Sequence, residues 1–253
     1  MKTISGTGVA LITPFNEDKS IDYNSIDVLI ERSIEKGIDF FVVLGTTGEA
    51  TALNETEKKQ LIQHVLKKNN KRLPVVIGIG GNNTLKIVEE IKKIETVNFD
   101  AILNVTPYYN KPTQEGLYQH YRQISIASKL PIILYNVPSR TGVNMSAELT
   151  IKLANDFDNI CYIKEASGDI NQIKYILENK PHDFNVLSGD DALTLEILKN
   201  GGSGVISVIG QSNPKEFSSM VNLALNGEFS KASHIHKKLY GLYHYLYSDG
   251  NPS

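Results

Sequence analysis

Eight short apolar runs, each separated from the next by a stretch with helical periodicity, leave this chain few ways to fold. The runs lie at Val9 to Ile12, Phe40 to Leu44, Val75 to Ile79, Ala101 to Val105, Ile132 to Tyr135, Ile160 to Ile163, Asn185 to Leu187 and Gly204 to Val208. The seventh, within Phe184-Asn185-Val186-Leu187, is the least marked. Most are apolar throughout, as expected of a parallel strand covered on both faces. The segments between them keep apolar side chains on one stripe, for example Ile26, Leu29, Ile30 and Ile34, or Leu61, Ile62, Val65 and Leu66. Asn54 ahead of Glu57 has the spacing of a capping box, so the second helix is expected to start there. Alternation of this kind implies parallel strands joined by helical crossovers. Eight repeats suit a closed TIM (β/α)8 barrel better than the alternative, an open doubly wound sheet.

The 253 residues are enough for one such barrel as a single core. The eighth helix is expected to run from near Asn213-Pro214 to near Asn226-Gly227, with one more helical segment at Phe229 to Tyr247 lying outside the barrel. The expected division is a barrel over residues 1–226 and the beginning of a C-terminal helical region over 227–253. No Pro-, Gly- or Ser-rich linker divides the chain. A net charge of −2, with both signs interspersed, offers no extended positive face to nucleic acid or an anionic membrane. No apolar run approaches the length of a membrane helix, and residues 1–6 show no secretory pattern. The single cysteine, Cys161, excludes an internal disulfide, suits a reducing cytoplasm, and reads as a small apolar residue in a buried strand.

In a barrel of this kind the reactive groups sit just past the C-terminal ends of the strands. Those positions hold Gly45-Thr46-Thr47-Gly48-Glu49, Thr106-Pro107-Tyr108-Tyr109, Asn136-Val137-Pro138-Ser139-Arg140, Lys164-Glu165 and Ser188-Gly189-Asp190-Asp191. Lys164 is the sharpest signal, because desolvation at a barrel mouth favours the neutral amine, a nucleophile for a ketone. By itself such a lysine more often pairs with a neighbour such as Glu165 or snorkels to solvent. The glycine-rich turn at Thr46 and Thr47 can cradle a carboxylate, although an ordinary strand-to-helix turn has the same composition. Tyr135 can pass protons at the reacting carbon, against the commoner buried tyrosine bonded to backbone. Arg140 can hold a second carboxylate bidentately, against a surface ion pair. Asp190 and Asp191 read as helix caps, not metal ligands, and His234 and His236 point in different directions on one helix, so no metal is expected.

Taken in order, Gly45-Thr-Thr-Gly-Glu49, Thr106-Pro-Tyr-Tyr-Asn110, Tyr135-Asn-Val-Pro-Ser-Arg-Thr-Gly142, Ile163-Lys-Glu-Ala166 and Leu187-Ser-Gly-Asp-Asp191 resemble the dihydrodipicolinate synthase family. The resemblance runs from about Gly6 to Pro252. It implies that Lys164 forms a Schiff base with pyruvate and that the resulting enamine attacks L-aspartate 4-semialdehyde, giving 4-hydroxytetrahydrodipicolinate on the diaminopimelate route to lysine. It further implies that Tyr135 donates and accepts protons, that Thr47 links a hydroxyl relay completed by Tyr109 of a neighbouring subunit, and that Thr46 and Thr47 hold the pyruvate carboxylate. Arg140 matches the receptor for the semialdehyde carboxylate, and Gly189 and Ile206 line the site with main-chain groups. No cofactor is implied. A homodimer or homotetramer is.

Two alternatives accompany that expectation. A pyruvate-releasing lyase of a 2-oxo sugar acid such as N-acetylneuraminate would share the lysine and tyrosine, but Arg140 favours an acidic partner. A catalytically silent ligand-binding barrel would have lost some member of the reactive set, and none is missing. The chain also departs from the family pattern. Lys86, Glu55 and Lys58 stand where lysine-inhibited members present a glutamate and histidines, so weak or absent inhibition by L-lysine is expected despite Asn82 and Tyr108. The family normally continues past Asn251-Pro252, which makes a fragment or a shortened enzyme the two readings of the end at Ser253.

Overall fold

The structure, a computed structural model, describes residues 4–250. Residues 1–3 and 251–253, on which the readings about a leader and about the chain's end fall, lie outside the described residues. Strand and helix alternate as β1 (Gly6–Ala10), α1 (Tyr23–Glu35), β2 (Phe40–Val43), α2 (Glu55–Asn69), β3 (Val75–Gly78), α3 (Thr84–Lys93), β4 (Ala101–Val105) and α4 (Gln114–Ala127). The second half continues as β5 (Ile132–Asn136), α5 (Pro138–Thr141), α6 (Ala147–Asp156), β6 (Ile160–Glu165), α7 (Ile170–Asn179), β7 (Asn185–Ser188), α8 (Thr194–Lys199) and β8 (Gly204–Ser207). It ends in α9 (Ile209–Ser212), α10 (Pro214–Leu225) and α11 (Phe229–Tyr245). The eight strands pair in chain order, all parallel, and β8 closes on β1. This is the expected (β/α)8 barrel.

The apolar runs match the strands because both faces of each are covered. Inside, Ala10, Phe40, Val42, Val76, Leu103, Ile133 and Leu187 fill the barrel. Outside, Val9, Phe41, Val43, Ile77, Ile102, Leu134 and Ile163 meet the apolar stripes of the helices. A third cluster joins α8, α10 and α11 through Leu195, Phe217, Val221, Ala232 and Tyr243, so the last helix packs onto the eighth repeat. Asn54 forms the expected capping box, accepting from Thr56 N and Glu57 N while Glu57 returns a bond to Asn54 N.

Three local differences from the sequence reading have physical causes. β1 sits earlier than Val9 to Ile12, because Leu11 N makes the last ladder bond, to Val42 O, and Ile12 N turns to the Gln211 side chain. β6 runs two residues beyond Ile163, since Lys164 and Glu165 stay in register with Leu187 and Ser188. Cys161 is half-buried, not buried: it is the second residue of β6, its thiol contacts Asp158 O at 3.3 Å, and partial burial pushes its pKa up.

Candidate active site

The register of β5 against β6 places Tyr135 directly opposite Lys164. Paired residues of parallel neighbours share a face, and here that face is the barrel interior. Both side chains are 6% exposed, and Lys164 Nζ lies 4.2 Å from the centre of the Tyr135 ring. The next residues along, Asn136 and Glu165, face the helices by the period of two. Lys164 therefore does not pair with Glu165, and among the described residues no ion pair engages it. An aromatic face beside the amine gives it a partner that neutralises nothing and leaves the nitrogen available.

Gly189 follows β7 and packs on that lysine. A methyl group at Gly189 would sit 3.1 Å from Lys164 Cε and 2.7 Å from Ala166 Cβ, so the absent side chain is what lets the lysine lie against this end of the barrel. Ile206, 1% exposed, belongs to the same interior cluster as Tyr135 and Leu187.

The turn after β2 is wound tightly at this end, with Gly48 N donating to Gly45 O and Glu49 N to Thr46 O. Leu44 and Glu49, on either side, both have positive φ, 59° and 51°, conformations that cost non-glycine residues energy and that the surrounding bonds must hold. Thr13 Oγ1 donates to Gly48 O at 2.7 Å and pins the turn to the loop after β1. Thr47 is buried while Thr46 is exposed, so the two hydroxyls do not share one environment. Among the described residues Tyr135 and Thr47 form no direct hydrogen bond. Tyr109, at φ 76° and 88% exposed, projects away from its own barrel. Arg140 lies exposed on α5, a single turn closed by Gly142 at φ 72°.

Several contributors were not anticipated from the sequence. Glu165 is fully buried and accepts from Ser167 N at 2.7 Å and from Asn136 Nδ2 and Gln172 Nε2, each at 3.2 Å. Burial pushes its pKa up, and these bonds partly offset the rise. Tyr247, just past α11, is 42% exposed, yet desolvation raises its phenol, with Asp191, Asp190 and Tyr135 adding to the rise and the Arg140 charge opposing it. Asp190 does not cap α8, whose N-cap position is Leu193 without a side-chain bond; it accepts from Ala192 N and Leu193 N in the turn ahead of that helix. Asp191 departs from expectation, because it reaches across to Val208 N and Ile209 N and anchors the turn after β8 instead of capping its own helix. No signal in sequence periodicity marks such a cross-strand anchor. Among the described residues no helix is long and apolar enough to cross a membrane.

Fold and site together define an enzyme of the (β/α)8-barrel class with an interior amine at the catalytic end of its strands. The family model for the dihydrodipicolinate synthetase family matches residues 3–253. The 4-hydroxy-tetrahydrodipicolinate synthase of Parabacteroides distasonis is 52% identical over 250 residues, 99% of this chain and 84% of that protein. The crystal structure of dihydrodipicolinate synthase from Aquifex aeolicus superposes with a TM-score of 0.94 at 40% identity, covering 98% of this chain and 85% of that one. The chloride-inhibited dihydrodipicolinate synthase of Acinetobacter baumannii, solved with pyruvate, does so with a TM-score of 0.95 at 41% identity, covering 99% and 86%. The chain belongs to the dihydrodipicolinate synthetase family.

Proposed function

We propose that the chain is a lyase with 4-hydroxy-tetrahydrodipicolinate synthase activity, joining pyruvate to L-aspartate 4-semialdehyde. The observation that carries the reading is the pairing of Lys164 and Tyr135 in register inside the barrel, an amine and a phenol secluded together. Lys164 Nζ adds to the ketone carbon of pyruvate, and loss of water gives the iminium. Removal of a methyl proton turns it into an enamine, whose carbon attacks the aldehyde. The amino group of the semialdehyde then attacks the iminium carbon and displaces Lys164, closing the ring and freeing the enzyme. Tyr135, beside the nitrogen, is placed to move the protons that these steps require.

Thr47 and Thr46 bind the pyruvate carboxylate in this reading, and Gly189 and Ile206 offer main-chain groups to the bound acid. Arg140, on the rim, receives the carboxylate of the semialdehyde. Tyr109 is 88% exposed, which fits service to a neighbouring subunit in a homodimer or homotetramer. The chemistry needs no cofactor, because covalent attachment itself activates the keto acid. A soluble cytoplasmic enzyme is the setting that the absence of a spanning helix among the described residues and the single half-buried thiol support.

The test is borohydride reduction in the presence of pyruvate followed by peptide mass analysis. A reduced pyruvyl adduct on Lys164, absent from Lys164→Ala, is expected. An unmodified Lys164 in folded protein would overturn the mechanism. Consumption of N-acetylmannosamine in preference to aspartate semialdehyde would overturn the substrate assignment and leave the covalent step intact.

A further inference from the structure

The residue after the reactive lysine belongs to a buried polar knot on the other side of the barrel wall. Glu165 takes three different donors: Ser167 N from the loop after β6, Gln172 Nε2 from α7, and Asn136 Nδ2 from the end of β5. Asn136 in turn grips the chain nine residues further on, where its Oδ1 accepts from Met145 N at 3.0 Å and its Nδ2 approaches Asn144 Oδ1 at 2.7 Å. Gln172 binds the same stretch, with Asn144 Nδ2 donating to its Oε1 at 2.8 Å and its own Nε2 reaching Met145 O at 3.2 Å. The segment between residues 136 and 145 is thus a closed loop with both ends clamped at the same buried spot. Arg140 sits in its middle, on α5.

We propose that Glu165 is a positioning residue that sets where Arg140 stands relative to Lys164, and so governs recognition of the second, acidic substrate. This rests on the functional reading above. The lysine itself is less dependent on the knot, because β6 is held in the sheet by β5 on one side and β7 on the other. The carboxylate matters as an acceptor of several bonds at once, since every group that faces it donates. Among the described residues no cation pairs with it, so its role is bond counting and orientation, not charge neutralisation. A loop clamped at its base holds a substrate group far better than a loose one, and small displacements there are costly to rate.

Glu165→Gln tests this, because it keeps the shape and replaces one acceptor oxygen by an NH2 group turned toward donors. The expected result is a rise of about tenfold or more in KM for aspartate semialdehyde, with borohydride trapping of pyruvate on Lys164 and KM for pyruvate within about twofold of the unsubstituted enzyme. Gln172→Leu, which cuts the α7 arm and leaves Glu165 in place, is expected to shift the same constant in the same direction by less. KM for the semialdehyde unchanged in both folded variants overturns the proposal. So does a parallel loss of trapping and semialdehyde binding, which would mean general damage. Should Glu165→Gln fail to fold, Gln172→Leu decides by the same criteria. If the unsubstituted protein traps pyruvate but does not consume the semialdehyde, the functional reading fails before either variant is compared.

Discussion

Gly189 shows how tightly single residues are set around the amine. Its would-be Cβ meets Ala166 Cβ at 2.7 Å and Lys164 Cε at 3.1 Å, and Glu165 O also lies at 3.1 Å. Ala166 Cβ and Glu165 O are fixed to the backbone, so the chain after β6 must shift and carry the lysine with it, and Gly189→Ala is expected to lower kcat/KM by about tenfold or more while costing about 1–3 kcal/mol of stability. Steady-state kinetics beside thermal melts would check both, and full activity would show that the lysine has room to spare. His120 makes a different residue-scale prediction. It is buried, its Nδ1 lies 2.8 Å from Thr84 Oγ1, and burial holds its pKa down at about 4 from an ordinary 6.5. Between those values the unfolded chain binds the proton that the folded one refuses, so stability falls as pH drops from 6.5 to about 4 and this contribution levels off below. Glu165 and Asp191, both raised by burial, act with the opposite sign, losing stability as pH rises through their folded values. Comparison of melting temperatures for the protein and His120→Asn across that window isolates the histidine; identical slopes would refute its part. The gathering of Lys164, Tyr135 and Gly189 at one end of the barrel was legible in the sequence, because residues at the strand ends of a barrel share that end by geometry. Glu165 and Asp191 were not, because a buried carboxylate satisfied by backbone and amide donors looks the same in sequence as a surface acid.

At the scale of elements, the legible features were those with a short-range cause. Asn54 illustrates this: two bonds from its side chain and one returned by Glu57 fix the start of α2. Asn54→Ala is expected to cost about 1 kcal/mol, or about 2–4 °C in melting temperature, with catalytic constants unchanged. An unchanged melting temperature would show that α2 is held by packing alone through Leu61 and Val65. Ala101–Val105 was read to the residue, since Asp100 and Thr106 bound a run that is apolar but for Asn104. The ends of β1 and β6 were misplaced because they are set by partners distant in sequence, Gln211 for the first and β7 for the second. Bulky residues with positive φ at Leu44, Glu49, Tyr109 and Lys111 were equally invisible. They gather in the loops after β2 and β4, where the barrel and not local preference dictates the backbone, and local strain at such loops is a common feature of functional ends.

For the whole molecule, the charges at the start of α2 and along α3 bear on regulation. Near the start of α2 and along α3, Glu55 and Lys58 form an ion pair at 3.0 Å, and the field of Lys86 reaches both Glu55 and Glu90. Glu90 lies exposed on α3, where desolvation raises its pKa and the charges of Lys58 and Lys86 pull it back. The carboxylates of this cluster therefore already answer to cations of the chain. Asn82 Nδ2, which donates to Tyr108 O at 3.3 Å, links the cluster to the loop that presents Tyr109. A free L-lysine entering here would bring an ammonium toward Lys58 and Lys86 and would have to displace one of them from its partner, a cost that an arriving like charge does not repay. Inhibition by L-lysine is accordingly expected to be weak or absent. Lys86→Glu, which replaces the repelling charge with a receptor, is expected to make turnover more sensitive to it. Initial rates over a lysine series decide the matter: half-inhibition of the unsubstituted enzyme at submillimolar lysine would show that this cluster rearranges to admit the ligand, and that charge at Lys86 does not control access.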